Sequence, residues 1–338
     1  MNPPGDRDPR AAAKAAAGAE PQVAAAGAQC VSTPDDPRLA PFVDLKSTDR
    51  AARRDGLVVA EGTYVVERLL ASGRPVQSVL CTPAAAQRME GLLSALRLSA
   101  LGSSAQGPSA GGPSAGGGSS ARSDGGTVAE PGSKSPTGLL VAPSSVVRQV
   151  TGHALNRGVI AVTPRWPATG VGQAMPEGRV VLALDGISDP ENVGALFRTA
   201  GSLGAGAVLV GPGCADPLYR RSVRVSLGHV FTLPFAVVPK EEWARSLSRL
   251  SALGKALVAL SPEPDALPLQ QLPTHLFGDC VLLVGAEGRG LSLQSMSAAT
   301  VTARIEMVPG ADSLNVAASA AIALYHVSGG RGPSRTGG

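Results

Sequence analysis

The sequence predicts an α/β protein with a mostly parallel sheet, helices on both faces, and a smaller α/β unit ahead of it. Three observations carry this. Short apolar runs alternate with amphipathic stretches of roughly 10–15 residues, the pattern of parallel strands joined by crossover helices. The chain has 338 residues, which suggests two domains at about 100–200 residues each. Two stretches dominated by Ala, Gly, Ser and Pro set the structured blocks apart.

Residues 1–37 show no periodic apolar pattern and are predicted to form a disordered tail. Asp6, Asp8 and Glu20 weigh against a transit peptide, which would be poor in acids. The first block, 38–165, opens with LVVAEG (57–62) as a strand. GTYVVERLLASG (62–73) follows as a helix, with Val65, Val66, Leu69 and Leu70 on one stripe and Gly73 at its end. QSVLCT (77–82) is a second strand, and a helix continues through Leu92, Leu93 and Leu96. Residues 100–137 are almost all Gly, Ser, Ala and Pro and are predicted to be a disordered insertion. LLVAP (139–143), a short SSVVRQV helix and the strand GVIAVTP (158–164) complete the block.

A linker at 166–177 leads to the second block, 178–328, and residues 329–338 form a disordered tail. VVLALDG (180–186) is a buried strand. A helix from Val193 to Leu203, the strand AVLVGPG (207–213), a helix at 217–226, a strand at 230–237, a helix at 241–253 and a strand at 255–260 continue the alternation. VLLVGAEG (281–288) and VTARIEM (301–307) are the last strands, and SLNVAASAAIALYHV (313–327) is the last helix.

Composition excludes several classes. Only 3% of residues are aromatic, which argues against nucleic-acid readers that stack bases on exposed rings. The four cysteines lie far apart without a C-x-x-C, so a zinc cluster or disulfide framework is not expected and a reducing compartment is. No apolar run approaches the roughly 18 residues of a membrane span, and a soluble intracellular protein, cytoplasmic or organellar, is expected. The net charge is +4, but residues 38–165 carry 14 basic and 8 acidic side chains, whereas 166–330 carry 11 and 13. The basic excess of the first block suits a polyanion.

Three segments carry chemistry. In LDGISDPENVGALFRTAGSLGA (184–205) a strand gives way to a turn, with Asn192 placed to cap the helix. Gly194, Arg198 and Gly201 share one face of that helix, leaving the arginine open to whatever approaches closely. In LLVGAEGRGLS (282–292) a glycine-rich turn follows a buried strand and lets a ligand approach the backbone. Its G-x-E-x-x-G pattern and late position differ from a dinucleotide fingerprint. In RIEMVPGADSLNVAASAAIALY (304–325), Ser313 and Asn315 open a helix rich in alanine, and N-cap chemistry alone would account for Ser313.

Together these segments resemble the SpoU (TrmH-like) branch of the SPOUT RNA methyltransferases. The N-x-G-x-x-x-R motif corresponds to Asn192, Gly194 and Arg198. The G-x-E-G-x-G-L motif corresponds to Gly285, Glu287, Gly288, Gly290 and Leu291. The S-L-N-V motif corresponds to Ser313, Leu314, Asn315 and Val316. All three occur in family order over about 150 residues. Residues 39–164 look like the small substrate-binding domain that precedes the catalytic domain in many members. Ile305-Glu306-Met307 departs from the usual Ile-Pro-Met.

The resemblance implies a C-terminal trefoil knot, a rare exception to unknotted chains. S-adenosylmethionine would lie there against the backbone of Gly285, Gly290, Ile305 and Leu314. It also implies a homodimer, no metal, and methyl transfer to a ribose 2′-hydroxyl of ribosomal or transfer RNA. The resemblance makes Arg198 the group that activates the 2′-hydroxyl; because a guanidinium is a poor base, it is expected instead to anchor the adjacent phosphate and stabilise the developing alkoxide. Asn192 and Ser313 would orient the nucleotide, Asn315 would brace the loops, and Glu287 would fix the second loop or touch the substrate. Arg50, Arg53, Arg54, Arg74, Arg148 and Arg157 are the candidate RNA contacts. Alternatives are a non-catalytic RNA-binding dimer that retains the knot and a SPOUT enzyme that methylates a base. A nucleotide-binding oxidoreductase is disfavoured by the missing fingerprint.

Overall fold

The computed structural model describes residues 28–43, 56–93, 138–174, 178–308, 310 and 313–329. The predicted insertion at 100–137, the tail before residue 28 and the chain end from 330 lie outside the described residues, as do Arg50, Arg53 and Arg54.

The first block forms a five-stranded sheet from β1 (Gln29–Cys30), β2 (Leu57–Glu61), β3 (Ser78–Cys81), β4 (Gly138–Val141) and β5 (Val159–Pro164), in the order β1-β4-β3-β5-β2. β1, β4 and β3 run parallel, and β5 is antiparallel to both β3 and β2. Helices α1 (Thr63–Ala71), α2 (Pro83–Arg88) and α3 (Ser144–Thr151) join them. The expected disorder up to residue 37 is corrected at its end. Gln29 and Cys30 pair with β4, and Val31 is buried with Leu39 and Phe42 of the 3-10 turn Pro37–Phe42. These apolar residues are too widely spaced to form a local pattern, and only the packed sheet gives them a partner.

The second block forms a seven-stranded sheet in which every pairing is parallel. It begins with the one-turn helix α4 (Val171–Ala174), followed by β6 (Val181–Asp185), α5 (Pro190–Ser202) and β7 (Ala207–Val210). Next come α6 (Arg220–Val225), α7 (His229–Thr232), β8 (Phe235–Val237), α8 (Lys240–Ala252), β9 (Ala256–Leu260) and β10 (Leu267–Pro268). β11 (Cys280–Gly285), α9 (Leu293–Ala298), β12 (Val301–Arg304) and α10 (Val316–Val327) complete it. The strand order is β10-β12-β9-β11-β6-β7-β8. Alternation along β6 sends Val181 and Ala183 toward Trp243 and Leu247 of α8. Leu182 and Leu184 face the opposite core, with Leu196, Phe197 and Ala200 of α5 and Leu324 of α10. None of the helices among the described residues is long and apolar enough to cross a membrane.

Two further expectations are corrected. The predicted strand at 230–237 is a strand only over Phe235–Val237, because His229–Thr232 makes a helical turn after Gly228 (φ 82°). Val230 and Phe231 are both buried there, as adjacent residues in a strand facing one core would not be. The predicted linker is partly packed. The Trp166 ring lies 5.9 Å from Phe231, the Arg74 guanidinium sits 3.8 Å above Trp166, and Val171 joins the core under α8.

The two sheets share a core. Val58, Ala60 and Val79 belong to the same apolar cluster as Leu182, Phe197 and Val223. Arginines stitch its rim. Arg68 donates to Leu227 O (2.5 Å), Arg74 to Phe231 O (3.2 Å) and Arg165 to Asp216 (2.6 Å). Arg220 crosses the other way to the buried Glu61 (2.5 Å). His153 places Nδ1 2.8 Å from Thr151 O and Nε2 between Glu61 Oε1 (3.2 Å) and the Arg220 guanidinium (2.7 Å). Burial pushes the Glu61 carboxyl up, but Arg220 and then His153 outweigh that and hold it below its ordinary value of 4.5. Part of the basic excess of the first block is therefore committed to the seam.

Candidate active site

The site is built where parallel strands end. β9, β11 and β6 are neighbours, and Gly285 is in register with Asp185, so their following loops emerge side by side. In an open parallel sheet that edge is where ligands bind. A cavity of about 230 Å³ opens there. The four predicted cofactor contacts, Gly285, Gly290, Ile305 and Leu314, all line it, as do Glu287 and Ser313.

The glycines have distinct roles. A Cβ on Gly285 would stand 2.3 Å from the carbonyl carbon of Gly290, so the loop can fold back only because that atom is missing. Gly290 N–H donates to Ala286 O (2.8 Å) and closes the turn. Gly288 and Gly290 take φ of 81° and 67°, the left-handed region where glycine carries no penalty. The tight turn and the open backbone are thus one feature.

The loop is also held from behind. Asp185, buried at the end of β6, accepts from Ser292 N–H (2.9 Å) and from Ser295 Oγ (2.6 Å). Trp243 Nε1 donates to the same hydroxyl (2.9 Å). Sequence reading missed Asp185 and the wall residues Ser261, Pro262, Met307 and Ser319. Position was the available signal for Asp185 and Ser261, since each closes or follows a buried parallel strand at its carboxyl end.

Three predicted residues from three motifs meet beside the cavity. Asn315 Nδ2 donates to Asn192 Oδ1 (3.0 Å) and Glu287 Oε1 (2.8 Å), and Asn192 Nδ2 donates to Glu287 Oε1 (3.3 Å). Asn192 is not the cap of its helix. Asp189 is, accepting from Glu191 N–H (3.0 Å), with Pro190 in the first turn. Freed from capping, Asn192 reaches Glu287. Asn315 caps α10 by accepting from Ala317 N–H (2.9 Å), the role that N-cap chemistry would have given Ser313. Ser313 instead faces the cavity.

Arg198 lies on the exposed side of α5 and makes no hydrogen bond or ion pair among the described residues. The glycines that share its face are covered, not open. A Cβ on Gly194 would meet Ser222 O at 2.6 Å, and one on Gly201 would meet the His229 ring at 2.2 Å. They let α6 and α7 approach α5 closely. Glu306 points outward to Arg304 (3.6 Å), leaving Ile305 and Met307 in the cavity wall. Of the predicted RNA contacts, Arg148 is exposed on α3 and Arg157 lies 4.9 Å over the Tyr64 ring. Arg74 is half-buried, its guanidinium stacked on Trp166 and its Nε bonded to Phe231 O at the seam.

Comparison with known proteins agrees with this geometry. The SpoU rRNA Methylase family matches residues 179–325. An uncharacterised tRNA/rRNA methyltransferase of Mycobacterium tuberculosis is 38% identical over 303 residues, which cover 88% of this chain and 90% of that protein. The 23S rRNA (guanosine(2553)-2′-O)-methyltransferase RlmP of Bacillus subtilis is 32% identical over 160 residues, 46% of this chain and 62% of that protein. The structure of an AdoMet-bound rRNA methyltransferase from Sinorhizobium meliloti superposes with a TM-score of 0.67 at 22% identity, covering 89% of this chain and 97% of that one. The chain belongs to the SpoU family of SPOUT RNA methyltransferases.

Proposed function

We propose that the protein transfers the methyl group of S-adenosylmethionine to a ribose 2′-hydroxyl of ribosomal or transfer RNA. The observation that carries this reading is the tie among Asn192, Glu287 and Asn315. It joins the arginine-bearing helix, the glycine loop and the last helix at the rim of one cavity.

The residues present fit such a cofactor. Gly285 and Gly290 offer backbone without side chains, Leu260, Val284 and Val316 offer an apolar wall, and Ser261, Ser313 and Ser319 offer hydroxyls. That is the usual mixture for a small-molecule site, apolar walls with a few placed polar groups. Bound there, S-adenosylmethionine supplies a methyl group activated by its sulfonium. Asn315 and Asn192 hold Glu287 in place, so the loop keeps its shape without cofactor contacts from those amides. Arg198 holds the phosphate beside the target ribose and stabilises negative charge on the attacking oxygen. It does not take the proton, because a guanidinium stays charged throughout the working range; the hydroxyl proton passes to solvent as the methyl group transfers, and the donor would leave as its neutral thioether. Alignment of donor and acceptor supplies much of the rate.

In this reading residues 38–165 hold RNA, with exposed Arg148 and Arg157 among the phosphate contacts. The C-terminal unit carries the family's knot and pairs as a homodimer, in keeping with the exposed Ile322 and Tyr325 on α10. Incubation of ribosomal and transfer RNA with labelled S-adenosylmethionine, followed by nucleoside analysis, tests it. Label is expected in 2′-O-methylnucleosides. Label in a base, or none, would replace this reading with the base-methylating or the non-catalytic one.

A further inference from the structure

Helix α7 is wedged between α5 of the second sheet and α1 of the first. Its first residue, His229, lies with its ring against Gly201. Arg198 stands one turn earlier on that same face of α5, within reach of the ring. Arg68 arrives from α1. Its Cβ is 3.2 Å from where a Cβ of Gly228 would stand, and its guanidinium is bonded to Leu227 O. Three basic groups thus converge from three helices. Glu67, next to Arg68, projects about 100° further around its helix. Glu191 of α5 is engaged by Arg221 (3.4 Å), and Glu61 by Arg220 of α6. Burial, then Arg68, then Arg198 hold the His229 imidazole down to about 4, so the ring is neutral at physiological pH and senses both guanidinium groups. Neither ring nitrogen of His229 has a hydrogen-bond partner among the described residues.

A notch with two guanidinium groups, a free imidazole and no neighbouring counter-charge suits a tetrahedral oxyanion. We propose that Arg68, Arg198 and His229 form a seat for one phosphodiester of the RNA backbone, spanning the seam between the two sheets. The RNA identity of the ligand rests on the reading above. The seat gives Arg198 a fixed partner in the first sheet, so RNA held by one unit is registered against the reactive end of the other.

The test is a titration of the four histidines by NMR in the full chain labelled at the imidazole carbons. The His229 signal is identified by its loss in His229→Gln. Without ligand it should titrate near 4. Saturating ten-residue oligouridylate should raise that value by about one pH unit or more, as an anion within about 4–6 Å does, and inorganic phosphate should act in the same direction. Arg68→Gln should weaken oligouridylate binding roughly tenfold and lower the salt slope by about one. An unmoved His229 signal would overturn the seat, as would unchanged binding by a folded Arg68→Gln protein. A response to inorganic phosphate alone would overturn its assignment to RNA. Should Arg68→Gln fail to fold, the wild-type titration decides. No arm reads methyl transfer, so the seat can fail while the proposed reaction stands, and the reverse.

Discussion

Asp189 directly precedes α5 and Asn192 stands three residues on, in the helix's first turn; both are side chains that cap helices. The sequence places Pro190 directly after Asp189, and proline favours the first helical position. Reading that proline would have assigned the cap correctly and released Asn192 for another task. The task itself was not legible, because its partners Glu287 and Asn315 lie 95 and 123 residues away. Their hydrogen bonds are exposed, so their worth to global stability is small. Asn315→Ala also removes the cap of α10 and is expected to cost about 0.5–2 kcal/mol in thermal unfolding. It should nonetheless raise KM for S-adenosylmethionine several-fold, since Glu287 and the loop lose their brace; calorimetric titration and steady-state kinetics check both. Arg198→Ala should lower kcat by about 10²–10³-fold, the cost of removing one donor to a developing oxyanion. Cofactor affinity by calorimetry should stay near wild type, and lost affinity would remove Arg198 from that role.

The elements legible in the sequence were those with a strong local period. β6 and α8 fall within a residue of their expected ends because each is a long apolar or amphipathic run bounded by clear breakers, whereas β11 stops at Gly285, three residues short, where the glycine loop folds back. β1, β10, α4 and α9 went unread. They are six residues or fewer, and their order comes from neighbours already folded. α7 was misread because a run of β-branched and aromatic residues at 230–237 looks like a strand. The Leu227–Gly228 pair, at φ 50° and 82°, turns the chain into a helical turn first. The face of α5 shows how an element can be seen and its purpose mistaken. Gly194 is expected to leave Arg198 open to whatever approaches, but it is space for α6. Gly194→Ala improves helix propensity by about 1 kcal/mol. It also drives a methyl to 2.6 Å from Ser222 O. Overpacking of that kind costs about 1–3 kcal/mol, so net destabilisation in denaturant unfolding is expected. A more stable variant would show that α6 can shift.

At the scale of the whole molecule, the seam decides how the two blocks behave. Their strands share one apolar cluster, and Glu61 is buried against Arg220 of the other block. Arg220→Ala removes the guanidinium that offsets most of the burial of that carboxylate, and a loss of about 3–5 kcal/mol is expected from such a rupture. The pH dependence has a fixed sign. The Glu61 carboxyl is held below 4.5 in the folded protein. Its contribution is therefore complete above about pH 4.5 and is lost as the pH falls through the lower folded value. Thermal scans from pH 6 down to 3 should show a steeper fall for wild type than for Glu61→Gln; parallel curves would place the acid sensitivity elsewhere. The same seam brings Arg68 to His229 beside Arg198, which makes the contact between blocks part of the route to the reactive centre. The measurement that bears most directly on the whole account is nucleoside analysis of RNA treated with the purified protein and labelled S-adenosylmethionine, wild type beside Arg198→Ala. The account predicts 2′-O-methylated nucleosides with wild type and a loss of at least about a hundredfold in the variant. Methyl groups on a base, or equal ribose methylation by both proteins, would contradict it.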